Sequence, residues 1–122
     1  MRGNSVNEEH PYHKTGLIGE YLVKIKLNDY GINTGSVDKD TGTDIVMFRG
    51  DSVLTAQVKS GYQKWNTNAD IHNVNVHFKV NLHCTDDNVL LLDESEIQWR
   101  RIDVDGSVFK NFDDHSIEEM FV

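Results

Sequence analysis

The stretch from Gly42 to Ser60, GTDIVMFRGDSVLTAQVKS, decides the fold of this chain. Two apolar runs rich in β-branched and aromatic residues flank a short polar break with a glycine, which is the pattern of a β-hairpin. Because side chains alternate faces along a strand, Gln57 and Lys59 should point one way and Val58 the other way, into the core. Pairing of the two strands can bring Asp44 close to Gln57 and Lys59. A carboxylate, an amide carbonyl and an ammonium would then converge on one spot.

Such a convergence fits metal-assisted hydrolysis of a phosphate ester. Asp44 would bind a hard divalent cation such as Mg²⁺ or Mn²⁺, since hard cations prefer oxygen ligands. The cation would polarise a phosphate and lower the pKa of a bound water. Lys59 would orient that water or offset the negative charge that grows in the transition state.

At these residues the chain resembles the PD-(D/E)XK nuclease superfamily, with its restriction-endonuclease-like and Holliday-junction-resolvase-like members. In that superfamily an acid on one strand is followed by (D/E)-X-K on the next, and here the pattern reads Asp44…Gln57-Val58-Lys59. Many members add a Glu from the helix that precedes the hairpin, and Glu20 matches that place. The resemblance covers residues 14–61.

Two positions depart from the superfamily pattern. Thr43 stands where the superfamily has Pro, and Gln57 stands where it has the second acid. Some members carry Gln at that place. Because an amide oxygen can coordinate a cation but brings no charge, metal affinity should be lower than with two acids.

The resemblance implies an α/β (α+β) fold with a restriction-endonuclease-like core, in which the N-terminal helix packs on a central mixed β-sheet. It implies an endonuclease that hydrolyses phosphodiester bonds of nucleic acid, DNA rather than RNA. The ligands of Mg²⁺ or Mn²⁺ would be Asp44, Gln57, Glu20 and the Val58 carbonyl, and the catalytic set would be Glu20, Asp44, Gln57 and Lys59. If such a small domain cuts specific duplex sites, we expect a homodimer, because one copy offers few base contacts.

A polar segment after the hairpin, residues 61–70, carries aromatic rings beside a lysine. Tyr62, Lys64 and Trp65 suit stacking on bases and contact with phosphates, so we predict that they bind nucleic acid. An aromatic loop that only covers the sheet edge is the alternative. The histidines and the cysteine downstream do not have the spacing of a zinc site.

Length and composition favour one domain spanning residues 1–122, with residues 1–12 flexible, the nuclease-like core at 14–61 and an acidic second half at 62–122. A single cysteine, Cys84, fits a reducing compartment. No run is long and apolar enough for a membrane span, and the N-terminus does not read as a secretory signal. We therefore expect a soluble, cytoplasmic protein with no membrane partner.

The net charge of −8 is distributed unevenly along the chain. Residues 1–64 hold eight basic and eight acidic side chains, whereas residues 65–122 hold four basic and twelve acidic ones. A nuclease could meet a polyanion with its neutral half. A basic protein partner could equally meet the acidic half. The alternative function is therefore an inactive nuclease-like fold that acts as a binding or inhibitory module, and a third reading is an unrelated α+β domain.

Periodicity predicts the remaining elements. A helix should run from about Lys14 or Thr15 to Asn28 and end at Gly31. Its apolar stripe would consist of Leu17, Ile18, Tyr21, Leu22, Ile25 and Leu27. Its glycines, Gly16 and Gly19, would allow close approach to the sheet or to a substrate. Strands are expected at 32–37, at 74–80 with one buried and one wet face, at 89–92 with both faces covered, and at 97–104 after a polar break at 93–96. A tight turn at 105–106 should lead into residues 108–110, and a short helix should follow at 116–121.

Overall fold

The structure is a computed structural model that describes residues 11–37, 42–62, 73–87 and 89–122. The described residues form two helices and six strands. In chain order these are α1 (Pro11–Asp29), β1 (Asn33–Ser36), β2 (Ile45–Arg49), β3 (Ser52–Tyr62), β4 (Val76–Cys84), β5 (Leu90–Arg101), β6 (Lys110–Asn111) and α2 (Asp114–Met120). Within these ranges, neither helix has the length and apolar character that a membrane crossing requires.

The strands form one mixed sheet in the order β1-β2-β3-β4-β5-β6. Neighbouring strands are antiparallel except β3 and β4, which are parallel. The predicted hairpin is β2–β3, where Arg49 pairs with Ser52 across a turn in which Gly50 has a φ of +59°. The predicted mixed sheet and α+β class are confirmed.

Helix α1 packs on the sheet with Gly19 at the point of closest approach. A side chain at Gly19 would overlap Ser60 of β3, so the two backbones are close there, and Val23 and Leu27 continue the buried line at four-residue spacing. The apolar stripe expected from Leu17, Ile18, Tyr21, Leu22, Ile25 and Leu27 is therefore only partly right. Tyr21 and Ile25 are 58% and 61% exposed, because the arc centred on Gly19 turns them away from the sheet.

The helix ends where predicted. Gly31 has a φ of +76°, a conformation that glycine adopts without strain. The amide of Ile32 then donates to the carbonyl of Leu27 at 3.0 Å, which satisfies a carbonyl at the end of the last turn.

One face of the sheet carries the core. Inward side chains of β2 to β5 pack with residues of both helices and with Ile32. The buried set is Val23, Leu27, Ile32, Ile45, Met47, Ala56, Val58, Val76, Phe78, Val80, Leu82, Trp99, Ile117 and Met120. Alternation along the strands and their register place a second set on the opposite face of β3 to β5. We call this set the polar face: Gln57, Lys59, His77, Lys79, Asn81, Glu96, Gln98 and Arg100.

Strand β4 shows the predicted alternation, with one error. Val76, Phe78 and Val80 are buried on the core side. His77, expected on a wet face, is only 2% exposed, and the ring of Phe109 lies edge-on against it with 5.2 Å between centroids. A residue from a distant part of the chain therefore covers this position.

Strand β5 corrects two expectations. It runs unbroken from Leu90 to Arg101, so the predicted polar break at 93–96 is wrong. The Ser95 hydroxyl bonds to the backbone of β4 and β5: it accepts from the amide of His83 at 3.2 Å and donates to the carbonyl of Leu91 at 3.0 Å. The expected double-sided burial of 89–92 is also wrong, because Leu92 is 53% exposed.

The C-terminal helix α2 forms about where the sequence indicates. Asp113 caps it, and the carboxylate accepts from the amide of Ser116 at 2.7 Å. The hydroxyl of Ser116 accepts from the indole N–H of Trp99 at 3.3 Å. Arg101 Nη1 donates to the carbonyl of Met120 at 2.7 Å, so the end of β5 holds both ends of the helix.

Candidate active site at the start of strand β2

Asp44 lies immediately before β2 and is fixed to β3 by two hydrogen bonds. Its amide donates to the carbonyl of Ala56 at 2.9 Å. Its carboxylate Oδ2 accepts from the amide of Val58 at 2.8 Å. At the end of the β2–β3 ladder a carboxylate therefore accepts from a strand amide, and an anionic acceptor makes this a strong hydrogen bond. The hairpin therefore brings the Asp44 carboxylate to the main chain of Val58. The predicted convergence of Asp44 with the side chains of Gln57 and Lys59 stays a prediction.

Gln57 and Lys59 flank that contact. Val58 between them is buried in the core, so alternation sends Gln57 and Lys59 to the polar face, where both are half-buried. In the parallel register Gln57 stands beside His77 and Lys59 beside Lys79.

Glu20 is half-buried on one flank of α1. One turn further along that flank, Lys24 Nζ donates to the hydroxyl of Ser36 at 2.7 Å, and Ser36 is the register partner of Ile45. Gly19, next to Glu20, lies over Val58 and Ser60. The half-buried Glu20 therefore belongs to the helix on the core side of the sheet, whereas Gln57 and Lys59 project on the opposite side. Its approach to Asp44 stays a prediction.

The chemistry of these donors suits a hard cation. Two carboxylates, an amide oxygen and a main-chain carbonyl are oxygen ligands of the kind that Mg²⁺ and Mn²⁺ take. In the part of the chain that the structure describes, no three His, Cys, Asp or Glu side chains gather as a metal group. The predicted ligand set contains two acids only, so it depends on the Gln57 and Val58 oxygens, and it stays a prediction.

Of the predicted nucleic-acid contacts, Tyr62 is the last residue of β3 and is 44% exposed. Alternation puts its ring on the side of Ser60, away from Lys59. Lys64 and Trp65 lie outside the described residues, and these contacts stay predictions.

Sequence reasoning missed a group of cations beside Gln57 and Lys59. Lys79 is the register partner of Lys59, and Arg100 is the partner of His77. Both cations make cation–π contacts with Phe109, whose ring centroid is 4.9 Å from the Arg100 guanidinium carbon and 5.6 Å from Lys79 Nζ. The period-two pattern of β4 did indicate polar positions at 77 and 79, but only the parallel pairing with β3 places them in the site.

The positive charge of this group affects the pKa of His77. Burial, together with the positive charges of Arg100, Lys59 and Lys79, lowers the pKa of His77 from 6.5 to about 4. The imidazole is therefore neutral at pH 7.

Comparison of the chain with protein-family models, with curated proteins and with solved structures finds no match.

Proposed function

We propose that the chain is a metal-dependent endonuclease that hydrolyses phosphodiester bonds of nucleic acid, DNA in preference to RNA, on a restriction-endonuclease-like core. The observation that carries the proposal is the Asp44 carboxylate, held at 2.8 Å on the Val58 amide between Gln57 and Lys59. A carboxylate, an amide and an ammonium at one strand end suit metal-assisted phosphate chemistry.

Each side chain has a defined part in this proposal. Asp44, Gln57 and the Val58 carbonyl would hold Mg²⁺ or Mn²⁺, with Glu20 completing the set from the α1 side. The bound cation supplies Lewis-acid polarisation and a water of lowered pKa. The Lys59 ammonium orients the attacking water and offsets charge on the phosphate oxygens as the bond to the leaving oxygen breaks. Tyr62, Lys64 and Trp65 would contact nucleic acid beyond the scissile bond.

The direct test is cleavage of supercoiled, linear and branched DNA with Mg²⁺ or Mn²⁺, with an RNA of matched sequence as the second substrate. Asp44→Asn and Lys59→Met should each abolish cleavage, and Asp44→Asn retains an oxygen that can accept from the Val58 amide. Lys24→Met, on α1, is the matched control and should cut like the wild type. Absence of cleavage on every substrate, or equal rates in wild type and Asp44→Asn, would remove the proposal.

The second candidate is a nuclease-like fold without hydrolysis that binds a basic protein. Among the described residues, β6 pairs only with Gln98 and Trp99, which leaves Leu92, Asp93 and Glu94 of β5 exposed. An open strand edge with acids and an apolar side chain suits a basic strand-like partner. Charge reversal with Asp93→Lys and Glu94→Lys should then abolish partner binding, whereas Asp44→Asn should leave it unchanged.

A further inference from the structure

Three cations lie side by side on the polar face. Lys59 and Lys79 occupy one register row on neighbouring strands, which run about 4.8 Å apart. Arg100 stands one row away on β5, diagonal to Lys79 at about 7–8 Å between backbones. Lysines directly opposite each other on neighbouring strands repel one another, and Arg100 adds a third positive charge to the same face.

The groups around these cations leave hydrogen-bonding capacity unused. Among the described residues, Arg100 Nε and both ring nitrogens of His77 are buried without a hydrogen-bond partner. Buried polar atoms without partners cost free energy, and a phosphate on this face would interact with the positive charge of the half-buried Arg100.

We propose that Lys59, Lys79 and Arg100 bind phosphates of a nucleic-acid strand that runs across β3, β4 and β5 on the face opposite α1. Cations spread over three strands fit a polymer of phosphates better than a single ion. The Phe109 ring contacts the cationic groups of both Lys79 and Arg100. The chain as a whole carries −8, so a local positive face is what would let a polyanion approach.

This inference deepens the proposed function, since it names the surface that holds the substrate beside Asp44. It adds Lys79 and Arg100 as substrate-binding residues outside the Asp44…Gln57-x-Lys59 pattern. His77, the register partner of Arg100, is a neutral ring at pH 7, so it adds no fourth positive charge to this group.

The test is binding of fluorescein-labelled single-stranded and duplex DNA, followed by anisotropy at several salt concentrations in EDTA, so that cleavage plays no part. Lys79→Gln and Arg100→Gln should each reduce the slope of log K against log salt by about 0.9 on duplex or about 0.7 on a single strand. At 0.1 M salt this is about an eightfold loss of duplex affinity. Lys24→Gln, on the α1 side, should bind like the wild type.

Arg100→Lys controls for folding, because it keeps the charge and should keep the salt slope even where it loosens the contact with Phe109. The inference is overturned if the wild type does not bind DNA, if Lys79→Gln and Arg100→Gln keep the wild-type slope, or if Lys24→Gln loses as much. Competition by poly-glutamate as strong as by DNA would also overturn it and assign the face to an acidic protein. If the two variants reduce the salt slope but the wild type cleaves no substrate, the polar face would still be a nucleic-acid-binding surface, and only the nuclease proposal would be removed.

Discussion

The contact between α1 and the sheet depends on the missing side chain of Gly19, which makes Gly19→Ala a quantitative test of the fold. A Cβ at Gly19 would lie 1.6 Å from Ser60 Oγ, 2.8 Å from Ser60 Cβ and 3.6 Å from Val58 Cγ1. The hydroxyl can rotate away, but the Cβ of a strand residue cannot, so the helix must shift. Overpacking of this kind costs about 1–3 kcal/mol, against a gain of about 1 kcal/mol in helix propensity.

Gly16→Ala is the matched control, because nothing lies within 4 Å of a Cβ there. It has the same propensity gain and should stabilise by up to about 1 kcal/mol. The difference between the two variants, measured by urea denaturation followed by circular dichroism, should therefore equal the overpacking cost of about 1–3 kcal/mol. Gly19→Ala combined with Ser60→Gly should recover most of that cost relative to Ser60→Gly alone. If Gly19→Ala stabilises as much as Gly16→Ala, the close approach of α1 to β3 is wrong.

Three further predictions concern pH dependence and the C-terminal elements. Because the pKa of His77 is lowered from 6.5 to about 4, the unfolded chain binds a proton between these pH values that the folded chain does not. The free energy of unfolding should therefore fall by up to about 3 kcal/mol as the pH is lowered from about 6.5 to 4. Denaturation at pH 7 and pH 4.5 should show this loss in the wild type but not in His77→Phe, and an equal pH dependence in that variant would contradict it. Arg101→Lys should destabilise the protein by about 1–3 kcal/mol, because Arg101 contacts both oxygens of Asp103 at 2.8 Å. Amide hydrogen exchange of α2 should accelerate, because Arg101 also donates to the carbonyl of Met120, and unchanged exchange would show that α2 does not need this hydrogen bond. Asp113→Ala should cost about 1 kcal/mol through loss of the helix cap, whereas Asp114→Ala should cost clearly less, and equal losses in thermal melts would argue against the cap.

The parts of the fold that local pattern could predict are those that depend on neighbouring residues. The hairpin follows from two apolar runs and a glycine turn, and Asp44 reaches Val58 because that pairing spans only fourteen positions. The buried side of α1 was harder to predict. Hydrophobic periodicity gives no weight to Gly19, the residue that sets the contact, so it placed Tyr21 and Ile25 inward.

Long-range pairing explains the other misses. The polar residues 93–96 read as a break, because the sequence does not show that β4 pairs across an irregularity between Asn81 and His83 or that Ser95 bonds within the strand. The cations of the polar face are neighbours because of the register between β3, β4 and β5, and two of them also contact the ring of Phe109. No local spacing reports that arrangement.

The proposed function requires that Asp44, Gln57 and the Val58 carbonyl hold one divalent cation through oxygen at the start of β2. Calorimetric titration with Mn²⁺ of the wild type, Asp44→Asn and Gln57→Glu tests it most directly, because it needs neither substrate nor catalysis. We expect one Mn²⁺ per chain, tighter binding in Gln57→Glu because a charged ligand replaces a neutral one, and loss of binding in Asp44→Asn. Binding that is unchanged in both variants, or absent in Gln57→Glu, would contradict the claim.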